Sequence, residues 1–304
     1  MKNHHLLQIT ILAITLIYFA ACSSAPKFDQ TLVRPWQSQL ENESPSERPY
    51  IAVHKAHSYE LIYLAANHDN DPNSDTLRLV GKLFNEFNFN AIVIEPIAYS
   101  YGKSPKWFLD EAHKGVHPNI IIGGESSLAA IQADDKKIPF YGGEIDHKAL
   151  YNQLKAENYT DSDILGFYLA RQIPQWVREK ENRKDLITKK GLNFITHYCK
   201  VFEIPETSCP SLNEIKTWYK TKTGKTLTSD LNTEDVAPIY SSPLFLHQIS
   251  SSIGTIRDRF TLDIIQQLLA KHKRVAVVYG GSHYITLKKS FEKSMGRSKQ
   301  IIFP

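Results

Sequence analysis

The stretch RVAVVYGGSH, residues 274–283, decides the fold. The run Val275–Val278 is short and apolar, which predicts a β-strand over Arg274–Tyr279. Gly280 and Gly281 follow and allow another part of the chain to approach the backbone closely. His283 then stands where the chain leaves the sheet. The stretch predicts a buried strand that ends in a polar side chain.

Four further segments upstream are also predicted to be strands. Tyr50–Lys55 and Tyr59–Ala66 are separated by a short polar turn, which predicts a β-hairpin. The run Ala91–Ile94 is apolar at every position and ends at Glu95, as expected for a strand buried on both faces. Ile138–Tyr141 predicts another short strand, which leads into Gly142, Gly143 and Glu144.

Helical patterns lie between these strands. Helices are predicted to open at Asn73 and near Gly123, and Leu246–His272 has apolar positions at helical spacing over its length. Tyr284–Ser294 predicts a last helix, before an edge strand at Gln300–Phe303. The middle of the chain is helix-rich and charged. We therefore expect an α/β fold, with a central mixed β-sheet flanked by helices and a helical insert at about residues 146–245.

The N-terminus has the layout of a secretory signal. Lys2 precedes an apolar run, Leu6–Ala21, which is short for a membrane span. A polar, proline-containing stretch follows. We expect a signal peptide over 1–21, a flexible tether over 22–48, and a single α/β domain with its insert over 49–304.

The end of this segment, Phe19-Ala20-Ala21-Cys22, resembles a bacterial lipobox. The resemblance implies a lipoprotein that is lipidated at Cys22 and tethered to the membrane of the cell envelope. The alternatives are a plain cleaved signal or an uncleaved anchor. Ser23 does not resemble the inner-membrane retention residue, which in a Gram-negative host favours the periplasmic face of the outer membrane. Cys199 and Cys209 could form a disulfide in that compartment or remain separate thiols.

Composition excludes several classes. Of the 304 residues, 42% are hydrophobic and 22% are charged, which is ordinary globular usage. The net charge of +4 comes without a dense Lys/Arg block, so we expect no nucleic-acid partner. No Gly-x-Ser-x-Gly elbow, P-loop or dinucleotide fingerprint is present.

The candidate chemistry lies at the strand ends. His68, Glu95, Glu144 and His283 each stand at or just after the end of a predicted strand. The carboxyl ends of strands in open α/β sheets form the ligand crevice. Two imidazoles with one or two carboxylates suit a divalent metal ion of unspecified identity. The same set could supply a general base and its partner without a metal.

The motifs resemble those of the TraB/Tiki/erythromycin-esterase/ChaN group. They are IYLAANH (Ile62–His68), IVIEP (Ile92–Pro96), GTIRDRFTLDII (Gly254–Ile265) and VAVVYGGSHY (Val275–Tyr284). Ala65 replaces a glycine of the group's pattern, and Arg257-Asp258 stands in the Arg-Asn place. The resemblance covers about half of the chain and leaves the middle insert unmatched.

The resemblance implies a pocket built by His68, Glu95 and His283. These residues would be metal ligands, as in the Tiki-like proteases, or acid/base residues, as in the esterases. In the metal version His68 and His283 bind the cation with Glu95 or Glu144; in the metal-free version His68 is the base and Glu95 orients it. Arg257 would stabilise developing negative charge or form a salt bridge with Asp258, Asp263 or a pocket glutamate.

These expectations define three functional hypotheses. The first is a membrane-tethered hydrolase that attacks a carbonyl of a peptide or of a small-molecule ester. The second is a haem-binding lipoprotein that resembles ChaN, with a His or Tyr as the axial ligand. The third is a degenerate member of the fold that has lost catalysis.

Overall fold

The computed structural model describes residues 24–43, 49–179 and 186–302. The predicted signal peptide and Cys22 lie outside these ranges. In the described residues the chain forms a large mixed sheet with helices on both faces, which confirms the predicted α/β fold. Within the same residues, no helix combines the length and apolar character that crossing a bilayer requires.

The main sheet has the strand order β6-β3-β7-β2-β1-β8. Its last member is a three-residue edge strand, and a separate two-stranded hairpin, β4–β5, lies outside it. The strands are β1 (Tyr50–Ala56), β2 (Tyr59–Ala66), β3 (Ala91–Ala98), β4 (Val116–His117), β5 (Ile120–Ile121), β6 (Phe140–Glu144), β7 (Arg274–Gly280) and β8 (Gln300–Ile302). Most predicted strands thus lie within a few residues of their observed bounds.

The helices alternate with strands or strand pairs except between β6 and β7, where five helices follow one another in the described residues. They are α1 (Asp75–Glu86), α2 (Lys106–Lys114), α3 (Gly124–Asp135), α4 (His147–Ala156), α5 (Asp161–Arg178), α6 (Gly191–Val201), α7 (Leu212–Thr223), α8 (Phe245–His272) and α9 (Gly281–Met295). Helix α9 begins earlier than predicted. His283 therefore lies in its first turn and not in a loop.

Four neighbouring strands run in the same direction. Strand β7 pairs in parallel with β2 on one side and with β3 on the other, and β3 pairs in parallel with β6. Within the main sheet β1 runs in the opposite direction, and it pairs antiparallel with β2 on one side and with β8 on the other. The carboxyl ends of β6, β3, β7 and β2 consequently meet at one edge of the sheet, where a ligand crevice is expected.

The centre of the sheet is buried on both faces. On β7, Val275, Val277 and Tyr279 pack with α8 and α9, whereas Ala276 and Val278 face α1 and α3. Alternate side chains of a strand point to opposite faces, so an all-apolar strand fits only between two helical layers.

Helix α8 joins two hydrophobic cores. Leu246, Ile249 and Ile253, in its first half, pack with the helices of the insert. Leu262, Ile265 and Leu268, in its second half, pack against the sheet. The middle of α8, with Arg257 and Asp258, therefore lies where the insert meets the carboxyl edge of the sheet.

Part of the segment predicted as a flexible tether packs against the domain. Val33 and Leu40 are buried, and the Phe28 N–H donates to Oε1 of Gln266 on α8 at 2.6 Å. Lys293 on α9 forms an ion pair with Asp29 at 2.7 Å. Residues 24–43 thus differ from a solvated tether. Their proline and polar content predicted a tether, but a few apolar side chains anchor the segment to the domain.

Cys199 and Cys209 form a disulfide, which decides between the two alternatives left open by the sequence. The bond ties the last turn of α6 to the segment before α7. We expect the C199A/C209A double variant to lose about 2–3 kcal/mol in its free energy of unfolding. Without the disulfide, the loop between the two positions has more chain entropy in the unfolded state, which favours unfolding. Urea denaturation, with the reduced wild type as the matched control, measures this loss. Equal midpoints for the oxidised wild type and the double variant would contradict it.

Candidate active site

The site residues surround Gly280, at the carboxyl end of the central strand β7. An ideal Cβ placed on Gly280 would lie 3.3 Å from Nε2 of His68, 3.4 Å from Oε2 of Glu95 and 3.5 Å from Cδ2 of His283. Each pair of these atoms is therefore separated by at most twice the longest of those distances. The structure brings together the three residues that the sequence analysis placed in one pocket, and a glycine leaves the space between them open.

His68 is held by a buried carboxylate. Its Nδ1 lies 2.6 Å from Oε1 of Glu125, which is in the first turn of α3. The side chain of His68 is 66% exposed, whereas that of Glu125 is only 5% exposed. The hydrogen bond to Glu125 raises the pKa of His68 above its ordinary value of 6.5. The bond also fixes the ring so that Nε2 faces Glu95 and Gly280.

Glu125 replaces Glu95 in the orienting role that the metal-free hypothesis assigned. The sequence analysis missed Glu125 because it stands at the start of a helix and not at a strand end. Its signal is the preceding Gly123-Gly124. A Cβ on Gly124, where φ is +52°, would lie 2.2 Å from the carbonyl oxygen of Asp69. Only glycine lets the start of α3 approach the His68 loop this closely.

His283 has a similar partner on helix α8. Its Nδ1 is hydrogen-bonded to Asp258, whose other oxygen accepts a bond from the Thr286 hydroxyl at 2.7 Å. Burial would lower the pKa of His283, but the negative charge and hydrogen bond of Asp258 outweigh it and raise the pKa. The sequence analysis considered Asp258 only as a partner of Arg257. In the structure Asp258 is instead hydrogen-bonded to His283.

Glu95 occupies the centre of the site. Its Oε2 accepts a hydrogen bond from the Gly280 N–H at 2.8 Å, and its Oε1 accepts one from Nη2 of Arg257 at 3.3 Å. Glu95 is 9% exposed. These two donors hold the carboxylate in a fixed position between the histidines.

Arg257 forms an ion pair with the pocket glutamates, one of the alternatives considered from the sequence. Its Nε donates to Oε2 of Glu144 at 2.7 Å, and its Nη2 donates to the other oxygen of Glu144. The Tyr279 hydroxyl also donates to Glu144. Arg257 is thus committed to carboxylates, and this pairing does not favour the predicted role of stabilising an oxyanion.

The ion pair makes the stability of the protein depend on pH. Burial would raise the pKa of Glu144, but the charge and hydrogen bonds of Arg257 and the Tyr279 hydroxyl lower it from 4.5 to about 2. The folded protein stabilises the ionised form of Glu144. The contribution of Glu144 to the free energy of unfolding is therefore present above pH 4.5 and is lost as the pH falls toward 2. Between pH 4.5 and pH 2, we expect the free energy of unfolding of Glu144→Gln to fall by about 3 kcal/mol less than that of the wild type. Urea denaturation at several pH values tests this. Parallel profiles for the two proteins would contradict it.

The residues present do not fit the predicted metal centre. Hydrogen bonds from Nδ1 to carboxylates resemble the outer shell of metal-bound histidines. However, within the described ranges no group of three or more His, Cys, Asp or Glu side chains is placed to hold a metal ion. Glu144 and Glu95 are also engaged by Arg257. The donor set therefore consists of paired acid/base groups.

A pocket of about 660 Å³ opens beside His68. Its wall combines the polar groups of the site with apolar and small residues, namely His68, Asp69, Asn70, Glu95, Pro96, Phe108, Gly123, Glu125 and Ser126. The exposed imidazole of His68 therefore stands between solvent and a space large enough for a small organic group.

Fold and site together define an α/β protein with two histidine–carboxylate pairs at the carboxyl edge of a parallel sheet. Comparison of the chain with models of protein families, with curated proteins and with solved structures found no match in any of the three. The resemblance to the TraB/Tiki/erythromycin-esterase/ChaN group stays a prediction.

Proposed function

We propose that the protein is a hydrolase that cleaves an ester or amide bond with water activated by its own side chains. One observation carries the proposal: His68, Glu95 and His283 converge on Gly280, while a separate buried carboxylate holds Nδ1 of each histidine. Pairs of imidazole and carboxylate are a recurrent means of general acid–base catalysis.

His68 is the general base in this proposal. Glu125 accepts the hydrogen bond of Nδ1–H, so the neutral imidazole carries its lone pair on Nε2. That atom lies close to Glu95 and is open to solvent through the exposed ring. When His68 takes a proton from water, Glu125 stabilises the imidazolium that forms. The raised pKa of His68 makes it a stronger base than an isolated histidine.

Glu95 and His283 complete the site. Oε2 of Glu95 points toward the space above Gly280, where it accepts a hydrogen bond from the attacking water. His283 is mostly buried, and Asp258 favours its protonated form. Its Nε2–H then donates to the carbonyl oxygen or to the leaving group. Arg257 acts indirectly, since its hydrogen bond to Glu95 holds that carboxylate in position.

The pocket beside His68 provides a place for the acyl part of the substrate. Phe108 and Pro96 supply its apolar surface, and Ser126 supplies a hydroxyl in the first turn of α3. A substrate that fills this pocket presents its carbonyl to the region between His68 and His283. We therefore expect the length of the acyl group to affect KM.

The function is tested with the full chain purified in a mild detergent. The probes are 4-nitrophenyl esters of two to eight acyl carbons and the matching 4-nitroanilides. The variants are His68→Gln, His283→Gln and the exposed control His113→Gln on α2. We expect hydrolysis by the wild type and the control, with a bell-shaped pH profile, and its loss in the two site variants. No hydrolysis of any probe, or equal rates in all variants, would contradict the proposal.

Haem binding is the second candidate, and the exposed imidazole of His68 beside the pocket favours it. Nε2 could serve as an axial ligand while Glu125 holds Nδ1. Addition of haemin to the wild type and to His68→Gln distinguishes the candidates. A Soret shift that only the wild type shows supports haem. A metal bound in stoichiometric amount and lost in both histidine variants would instead support the metal-dependent hydrolase.

A further inference from the structure

A cluster of polar side chains from the insert lies near the Arg257–Glu144 pair. It consists of His147 on α4, Tyr168 and Arg171 on α5, and Tyr198 on α6, and we call it the insert cluster. The Tyr168 and Tyr198 rings lie 5.0 Å apart, and the His147 ring lies 5.5 Å from Tyr198 and 6.1 Å from Tyr168. His147 starts the helix that follows β6, three residues after Glu144. The cluster therefore adjoins the site.

Arg171 is the unusual member of this cluster. Tyr168 and Arg171 are three residues apart and lie on the same face of α5. Arg171 is exposed to solvent, yet surrounding protein and the neighbouring Arg257 charge lower its pKa. The guanidinium is therefore partly desolvated by the protein around it but remains accessible from solvent. In the described part of the chain it has no hydrogen bond and no ion pair.

The other cations of the site have carboxylate partners. Arg257 is paired with Glu144 and Glu95, His68 with Glu125, and His283 with Asp258. Arg171 is the cation of this region that lacks a carboxylate among the residues described. An anion that binds a partly desolvated guanidinium compensates for the hydration that the cation has lost.

The neighbours of Arg171 can donate hydrogen bonds to the same anion. The hydroxyls of Tyr168 and Tyr198 have no hydrogen-bond partner in the described residues. Burial raises the pKa of both tyrosines, so each keeps its proton at neutral pH. Burial lowers the pKa of His147, which keeps that ring uncharged. The cluster thus combines one fixed positive charge with neutral hydrogen-bonding groups.

We propose that the insert cluster binds an oxyanion group of the substrate, a carboxylate or a phosphate. The planar guanidinium of Arg171 takes two oxygen atoms, and the tyrosine hydroxyls supply further donors. None of the residues that line the pocket beside His68 belongs to the insert cluster, so the two are separate binding surfaces next to the catalytic residues. A substrate with an apolar acyl end and an acidic end would occupy both. The statement that this oxyanion belongs to a substrate rests on the proposed hydrolase function. The statement that the insert cluster binds an oxyanion does not.

Two substrates that differ in one charge test the proposal. They are 4-butyryloxybenzoate, which has an apolar acyl group and carries its carboxylate on the leaving group, and its neutral methyl ester, assayed with the wild type, Arg171→Met and Arg171→Lys. We expect Arg171→Met to raise KM for the charged ester by about 10- to 100-fold and to leave KM for the neutral ester unchanged. Arg171→Lys should lose less, because it keeps the charge without the planar fork. Arg178→Met, an exposed site near the end of α5, is the matched control.

Isothermal titration with succinate and with inorganic phosphate separates this proposal from the catalytic one. Binding by the wild type and Arg178→Met that is lost in Arg171→Met supports the insert cluster, even if neither ester is hydrolysed. Preference for succinate or for phosphate identifies which oxyanion the cluster accepts. Equal affinities in the wild type and Arg171→Met, or equal effects of that substitution on both esters, would overturn the proposal.

Discussion

His68→Gln is expected to lower kcat for ester hydrolysis by about 10²- to 10⁴-fold, the range that a positioned general base contributes. Glutamine keeps much of the shape of the side chain but cannot accept a proton from water. The side chain of His68 is largely exposed, so the fold should tolerate the change and the free energy of unfolding should stay nearly constant. Stopped assays with 4-nitrophenyl esters, read beside urea denaturation, separate lost chemistry from lost structure.

The carboxylate partners give this prediction a second test through pH. The hydrogen bond to Glu125 is the main cause of the raised pKa of His68, so Glu125→Gln should lower that pKa. The acidic limb of kcat/KM then moves to lower pH, because the base loses its proton more readily. Asp258→Asn should lower the pKa of His283. The alkaline limb of kcat/KM then moves to lower pH, because the acid loses its proton at a lower pH. If both limbs stay in place in both variants, the two histidines do not have these roles.

The sheet and its site residues were predictable because they follow local rules. A run such as Val275–Tyr279, apolar throughout, fits only a strand covered on both faces, and the residue after it must leave the sheet at the ligand edge. His68, Glu95 and His283 satisfied this rule independently. Their convergence required only that the strands be parallel neighbours, which they are.

The partners of these residues were not predictable in the same way. Glu125 reaches His68 from the start of a helix 57 residues further along the chain, and Asp258 reaches His283 from the middle of α8. Such contacts depend on the packing of helices against the sheet edge, which periodicity does not reveal. Arg171 is harder still, since on sequence it is one more charged residue on the exposed face of a helix in the insert. Its significance comes from its neighbours Tyr168, Tyr198 and Arg257, which only the fold brings together.

Arg257→Met is expected to have the largest effect on stability, a loss of about 3–5 kcal/mol at pH 7. The substitution leaves the buried carboxylate of Glu144, and Glu95 beside it, without the cation that both contact. Methionine fills most of the space, so the loss reports the uncompensated charge and not a cavity. Arg259→Met, at an exposed position two residues along the same helix, should change stability by less than about 0.5 kcal/mol.

The double variant Arg257→Met/Glu144→Gln shows whether the charge is the cause. Removing one of the two carboxylate charges should restore part of the stability lost in Arg257→Met, giving a coupling energy of about 1–3 kcal/mol in the double-mutant cycle. Acid should have a similar effect. Without Arg257 the pKa of Glu144 rises above its unfolded value, so its penalty is present at pH 7 and fades as the pH falls and the carboxyl is protonated. Urea denaturation at pH 7 and pH 4 measures both effects. A loss in Arg257→Met that is independent of pH and unrelieved by Glu144→Gln would show that packing, and not charge pairing, sustains the centre of the site.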